Sequence, residues 1–380
     1  MNLNFSAIKI ISSIISKLIV IVFFAAPAAH ADWQLNMREG VTEISRAVYG
    51  LHMIIFWVCV VIAIIVFGVM FWSVVYHRKS RGAKAQNFHE SIYVEIAWTV
   101  IPIFILVGMA IPATTTLKKM YDSTESDIDI QVTGYQWKWR YQYLNEGIDF
   151  FSSLATPKEQ IYNQAEKTSN YLLEVDNPLV IPLGKKIRFL ITANDVIHSW
   201  WVPDFAVKKD AIPGFINESW AIAEVPGIYR GQCAELCGKD HGFMPIVVEV
   251  KSQVDYDAWV IEQQQAQIAK AKSAEKRWTL DDLMHSGKQI YAKNCAACHQ
   301  SSGEGIAGAF PALKGSPIVQ GDPNEHINIV LNGKPGTAMQ AFAEQLSAAE
   351  LAAVITYERN AWGDSVGDII SPRQIVKFQQ

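Results

Sequence analysis

The stretch Cys233-Ala234-Glu235-Leu236-Cys237-Gly238-Lys239-Asp240-His241-Gly242-Phe243-Met244 places two thiols, an imidazole and a thioether within twelve residues, and His198 precedes it. Thiolate, imidazole and thioether together favour copper. Two thiolates that each bridge two copper ions would let one unpaired electron spread over both. His198 and His241 would each cap one copper, with Met244 a weak axial ligand on one and the backbone carbonyl of Glu235 on the other. Two other readings stay open: a disulfide between Cys233 and Cys237, and a structural zinc closed by two cysteines and two histidines. Zinc has no need of the methionine.

Working outward from this loop, short β-rich runs at 128–132, 186–192, 219–225 and 245–250 are punctuated by Gly and Pro, which argues for an antiparallel sandwich or barrel. Residues 144–170, rich in Ser, Asn, Gln and Lys, read as a solvated insertion loop without chemistry. Residues 256–276 read as an exposed helical linker, rich in Gln, Ala, Lys and Glu without a consistent apolar stripe. Towards the N-terminus, residues 51–76 carry no charge and are long enough to span a membrane. A second apolar run, 92–113, holds Glu95 and Pro102. Arg78, Lys79, Arg81 and Lys84 lie between the two, so the connecting loop faces the cytoplasm and everything after residue 114 lies outside. Lys9, Lys17, an apolar stretch to Phe24 and the small residues of Ala29-His30-Ala31 form an export signal, with an uncleaved third membrane helix as the competing reading. Half of the residues are hydrophobic and the formal net charge is −4, so a membrane part is expected and there is no basic surface for nucleic acid.

On the C-terminal side, Cys295-Ala296-Ala297-Cys298-His299 has the spacing of a c-type haem attachment site. Its two thiols form thioethers with the vinyl groups, and the next histidine is an axial iron ligand. A thioredoxin-type redox pair would need a βαβ unit, whereas Gly-rich sequence follows here and His299 would have no purpose. Met339, in a loop ahead of the last helix, is the candidate second axial ligand; Met284 is the other methionine nearby, on an apolar helix face. Residues 280–292 have helical spacing, and Ser347-Ala348-Ala349-Glu350 is a capping box opening a helix to about residue 362.

The loop at 233–244 closely resembles the dinuclear copper loop of cytochrome c oxidase subunit II, with the pattern Cys-x-Glu-x-Cys-x-x-x-His-x-x-Met matched at every ligand. His198-Ser199-Trp200, Lys209-Asp210-Ala211-Ile212-Pro213-Gly214 and Gly134-Tyr135-Gln136-Trp137-Lys138-Trp139 resemble further segments of that family, so the resemblance covers roughly residues 45–250. It implies a cupredoxin-like fold for the outer domain. It also implies that electrons come in at Trp137, that the Glu235 side chain ligates a magnesium ion shared with the catalytic subunit, and that Glu95 lies near a proton-uptake path. Asp176 and Asp195 resemble acidic docking positions of the family; surface carboxylates being common, they are not taken into the site. The C-terminal region resembles bacterial class I cytochromes c, with Phe310-Pro311-Ala312-Leu313 in place and Gln340 where a proline often follows the methionine.

Together these imply a transmembrane helical hairpin, an all-β cupredoxin-like sandwich and a small all-α class I cytochrome c domain. The expected division is a signal peptide over 1–31, a membrane anchor over 32–120, the copper domain over 121–252, a helical linker over 253–279 and the cytochrome domain over 280–380. The expected role is the electron-transfer subunit of a haem-copper oxidase in the bacterial inner membrane, with its copper and haem domains on the periplasmic side. Electrons from a cytochrome donor would pass from haem c to copper and on to catalytic subunit I, which, with further membrane subunits, reduces oxygen to water and translocates protons. Alternatives are the small subunit of a copper-containing nitric oxide reductase and a copper-delivery protein.

Overall fold

Two long helices lead into the fold, each carried by a long apolar run, the first opened by a capping box and the second holding Glu95, Pro102 and Pro112. The computed structural model describes residues 36–84, 89–272, 276–363 and 366–379; the export signal read over 1–31 lies outside them. Helix α1 (Glu43–Tyr76) and helix α2 (Ile92–Met120) are both long and apolar enough to cross a membrane, with their most apolar windows fully unburied. Both overrun the expected spans of 51–76 and 92–113. The reason lies at the ends: Thr42 and Ser45 form a capping box that starts α1 eight residues before the apolar run, and Lys118 and Lys119 complement the helix dipole in the last turn of α2. The extension of α1 seats on the β-domain, where Thr42 Oγ1 donates to Phe205 O and Arg46 pairs with Glu224 at 2.6 Å.

Ten strands follow: β1 (Ile128–Tyr135), β2 (Lys138–Tyr143), β3 (Ile148–Ser152), β4 (Leu179–Pro182), β5 (Lys186–Ala193), β6 (His198–Val202), β7 (Val207–Ala211), β8 (Asn217–Ile222), β9 (Gly227–Cys233) and β10 (Pro245–Lys251). They form two five-stranded sheets in the orders β3-β2-β1-β5-β8 and β4-β10-β9-β6-β7. The sheets are mixed, since β1 runs parallel to β5 and β4 parallel to β10. Alternate residues of β5 are buried, and Ile130, Val132, Phe189, Trp200, Ile246 and Val248 fill the space between the sheets.

Two expectations are corrected here. Residues 144–170 are not one solvated loop, because β3 pairs antiparallel with β2 and buries Ile148 and Ser152. Nor is the segment after β10 a bare linker. Helix α3 (Gln253–Lys272) lays Tyr256, Trp259 and Val260 on the sandwich, with the Trp259 ring 5.2 Å from Tyr143, a stripe of only one turn that the polar composition conceals.

Helices α4 (Leu280–Asn294), α5 (Pro323–Asn332), α6 (Ala348–Asn360) and α7 (Pro372–Gln379) build a second core around Leu283, Tyr291, Ile327 and Leu351. Helix α4 crosses α6 closely at Gly287, where a Cβ would lie 2.1 Å from Ala353 O. Residues 39–380 form one compact unit, with the helical part lying against the sandwich.

Candidate metal and haem centres

Sheet topology gathers the copper-type donors. His198 opens β6, Cys233 closes β9 and Met244 stands immediately before β10, and these three strands are neighbours in one sheet. Cys233 Sγ lies 4.0 Å from His198 Nδ1, 3.8 Å from Cys237 Sγ and 3.4 Å from the carbonyl of Glu235. Cys237 Sγ in turn lies 3.4 Å from His241 Nδ1 and 3.5 Å from Met244 Sδ. The thiols are free, not joined as a disulfide. The proton shared with Cys237 holds the Cys233 thiol down, helped by hydrogen bonding to His198, while the same contact pushes Cys237 up. One member of the pair is thus predisposed to the thiolate that a metal needs.

The donor set fits copper. The ligand atoms of His198, Cys233 and Cys237 all lie within 4.8 Å of one another, and His241 falls outside that set, on the Cys237 side. A single zinc bonded at 2.0 to 2.3 Å would need every pair of ligands within about 4.6 Å. Histidines set at the two ends of a thiol pair match two ions better than one.

The surrounding shell orients these donors. His198 is fully buried, and its Nε2 lies 2.8 Å from Asp195 Oδ1, leaving Nδ1 towards Cys233. Burial works to lower the His198 pKa, but hydrogen bonds to Asp195 and Cys233 outweigh it and the net direction is upward. The Trp139 ring meets His198 edge-on at 5.9 Å and its Nε1 donates to Met244 O. Gly134 makes room for the imidazole, since a Cβ there would lie 2.8 Å from His198 Cδ2. Trp137 is partly buried, and its Nε1 donates to the carbonyl of Cys237, which also accepts from Gln136 Nε2. Sequence reasoning missed Asp195, Trp139 and Gln136 in these roles. The aromatic run 134–139 was a signal for the last two; the three-residue spacing of Asp195 from His198 was the signal for the first.

The haem-type residues are contiguous. Cys295 caps α4, and a short helix, Ala296–His299, follows it, carrying Cys298 and presenting His299. His299 Nδ1 lies 2.9 Å from Pro311 O, which commits that nitrogen and leaves Nε2 for iron. Neither thiol is in a disulfide, and Met339 is partly buried against the helical core. These residues fit a c-type haem. Met284 sits on α4 and is not part of the Met339 loop.

The copper-type and haem-type segments touch. Lys239 Nζ, in the metal loop, donates to Ala297 O at 3.2 Å, between the two haem-type cysteines. Lys138 Nζ, beside Trp137, donates to Asn294 Oδ1 at 3.0 Å. Glu235 points its side chain to solvent, outside the His198, Cys233 and Cys237 cluster. Glu95 lies in the first turn of α2, where Oε1 accepts from Ser91 N.

Comparison with known proteins places these parts together. Residues 128–251 match the family described as cytochrome C oxidase subunit II, periplasmic domain; residues 30–115 match its transmembrane domain; and residues 282–357 match cytochrome C oxidase, cbb3-type, subunit III. A probable cytochrome c oxidase subunit 2 of Rickettsia bellii is 37% identical over 243 residues, covering 64% of this chain and 89% of the relative. The cytochrome c oxidase subunit 2 of Cyanidium caldarium is 38% identical over 237 residues, covering 61% and 91%. The crystal structure of the periplasmic domain of subunit II of cytochrome oxidase of Bradyrhizobium japonicum is 40% identical and covers 38% of this chain and 98% of its own, with a TM-score of 0.34. The chain belongs to the cytochrome c oxidase subunit 2 family and is an electron-transfer subunit of a haem-copper oxidase, carrying among its described residues two membrane-spanning helices and an extracytoplasmic metal domain.

Proposed function

We propose that His198, Cys233, Cys237, His241, Met244 and the Glu235 carbonyl hold a dinuclear copper centre, and that Cys295, Cys298, His299 and Met339 hold haem c. The chain relays electrons from the second set to the first, and on to a catalytic subunit that reduces oxygen to water with proton translocation. With both groups bound, the two sites would supply one-electron chemistry at opposite sides of a seam between two parts of the same chain. The observation that carries this reading is the direct contact between the two segments, Lys239 Nζ to Ala297 O at 3.2 Å.

The residues around the sites have definable work. Asp195 fixes the His198 tautomer and ring plane, and Pro311 does the same for His299. Trp137 offers an aromatic bridge that ends, through its Nε1 hydrogen bond, on the backbone of Cys237. The exposed carboxylate of Glu235 is open to a magnesium ion shared with the partner subunit, and Glu95 stands at the loop-side end of α2 for proton uptake. We assign residues 1–31 to an export signal, 32–120 to the anchor, 121–252 to the copper domain, 253–279 to the connecting segment and 280–380 to the haem domain, in a bacterial inner membrane with both redox domains periplasmic.

The test is metal and haem content with electron paramagnetic resonance on the full chain purified with its membrane partners. Two coppers per haem c in this chain, with one unpaired electron shared over both nuclei, is the expected result. A single copper, or zinc alone, would overturn the dinuclear assignment.

A further inference from the structure

Asp195 is shared between the two redox units. One of its oxygens, Oδ1, takes the Nε2 side of His198 at 2.8 Å. The other, Oδ2, accepts from Gln136 N at 2.8 Å and from Gln340 Nε2 at 3.0 Å. Gln340 Nε2 also reaches Gln136 O at 3.3 Å, and its Oε1 accepts from the buried Gln345 at 3.3 Å. Gln340 follows Met339 directly, and the Met339 carbonyl is itself held by Lys334 N at 3.1 Å. A single half-buried side chain therefore spans from the methionine loop of the helical unit to the carboxylate that orients a copper-type histidine. A proline at this position would have no side-chain donor and could not make the connection.

We propose that Gln340 is a positioning residue that fixes the Met339 loop against the copper site by sharing Asp195 with His198. This rests on the assignment of Met339 and His198 as ligands given above. Other polar links cross the same seam, but they lack this placement. Arg140 pairs with Glu344 at 3.1 Å, and that carboxylate is 78% exposed; Lys293 pairs with Asp176 at 2.5 Å with both partners partly solvated. Exposed pairs contribute little to holding a geometry. The Asp195 side chain is only 11% exposed, and its bond to Gln340 is of the charge-assisted kind. Gln136 completes the arrangement, because its own Nε2 ends on the Cys237 carbonyl. The loop, the seam and both ends of the thiol pair are thus held through adjoining hydrogen bonds.

Gln340→Glu, Gln340→Ala and Gln340→Lys in the full chain with its partners separate this role from simple packing. Glutamate places a like charge against Asp195, alanine removes the donor, and lysine keeps one. Hydrogen-deuterium exchange over residues 133–138 and 334–342 should rise about tenfold in Gln340→Glu and Gln340→Ala, the population change that goes with losing one hydrogen bond to a charged group. In Gln340→Lys the protection should be retained. Flash-induced electron equilibration between haem and copper should slow in the same order, while the haem spectrum and the copper resonance keep their unmutated ligand signatures. Exchange that ignores the donor capacity of residue 340, with both centres intact, would overturn the proposal. Absence of either centre from the unmutated chain would instead sink the ligand assignment, and the latch with it.

Discussion

The two redox regions of this chain are built by opposite means. Among the copper-type donors, His198 and Cys233 stand at the ends of neighbouring strands and Cys237, His241 and Met244 on the segment that joins β9 to β10, and two of them are backed by residues distant in sequence: Trp139 and Asp195 for His198, Gln136 and Trp137 for Cys237. The haem-type donors Cys295, Cys298 and His299 occupy five consecutive residues at the end of one helix, and only Met339 comes from elsewhere. A strand-built site takes its geometry from the sheet register, which forms whatever the site holds. A site built from one helix end and one loop needs that loop pinned, and here the neighbouring domain contributes to the pinning. Preorganisation is a property of the sandwich that the helical unit shares only where it is docked.

The largest expected effect separates the two sites outright. Cys237→Ser should abolish the shared-electron copper resonance and leave covalent haem in place. Cys298→Ser should remove or weaken covalent haem attachment and leave the copper resonance unchanged. Resonance and haem staining on the same preparations check both; a copper resonance that survives Cys237→Ser would break the dinuclear reading.

Two glycines sharpen the comparison further. Gly287→Ala puts a methyl against Ala353 O where α4 crosses α6, and should destabilise the helical unit by about 3 kcal/mol, the upper end of overpacking in a dense interior. Gly134→Ala pushes instead on the His198 ring, and should distort the copper resonance with a smaller loss of stability. Thermal unfolding followed separately by haem absorbance and by copper absorbance distinguishes them. If both probes moved together in Gly287→Ala, the two units would melt as one.

How much of this was legible in the sequence follows the same division. The ligand patterns in 233–244 and 295–299 are local, so spacing alone displays them, and the membrane helices declare themselves through unbroken apolarity. The helix ends were not legible from apolarity, because Thr42 and Ser45 extend α1 by capping, which hydropathy does not register. The role of Asp195 depends on the turn between β5 and β6 and on a partner 145 residues away, Gln340, so no short window contains it. The stripe of Tyr256 and Trp259 on α3 was overruled by the polar residues around it, although two aromatics one turn apart are enough to dock a helix on an open sheet edge.

The smallest effects lie at the seam itself. Lys138 is almost fully buried there, 4.7 Å from the Phe151 ring and hydrogen-bonded to Asn294, and burial, reinforced by repulsion from Lys293, pushes its ammonium down to about 8. The unfolded chain holds this proton up to the ordinary lysine value of 10.5, so between about pH 8 and that value the unfolded state binds more protons than the folded one. Stability therefore rises with pH through that window and falls as pH drops through it, and below it the penalty is complete, on the order of 3 kcal/mol. Lys138→Met should recover part of that at neutral pH, less than the whole because Asn294 Oδ1 loses its donor and Phe151 its cation. It should also flatten the rise towards high pH. Lys293→Ala serves as the comparison at an exposed pair and should change stability by less than about 1 kcal/mol. Thermal midpoints of the full chain at about pH 7 and about pH 10 decide it: an equal rise in the unmutated and Lys138→Met proteins would mean that some other group titrates, and that the seam tolerates its buried cation without strain.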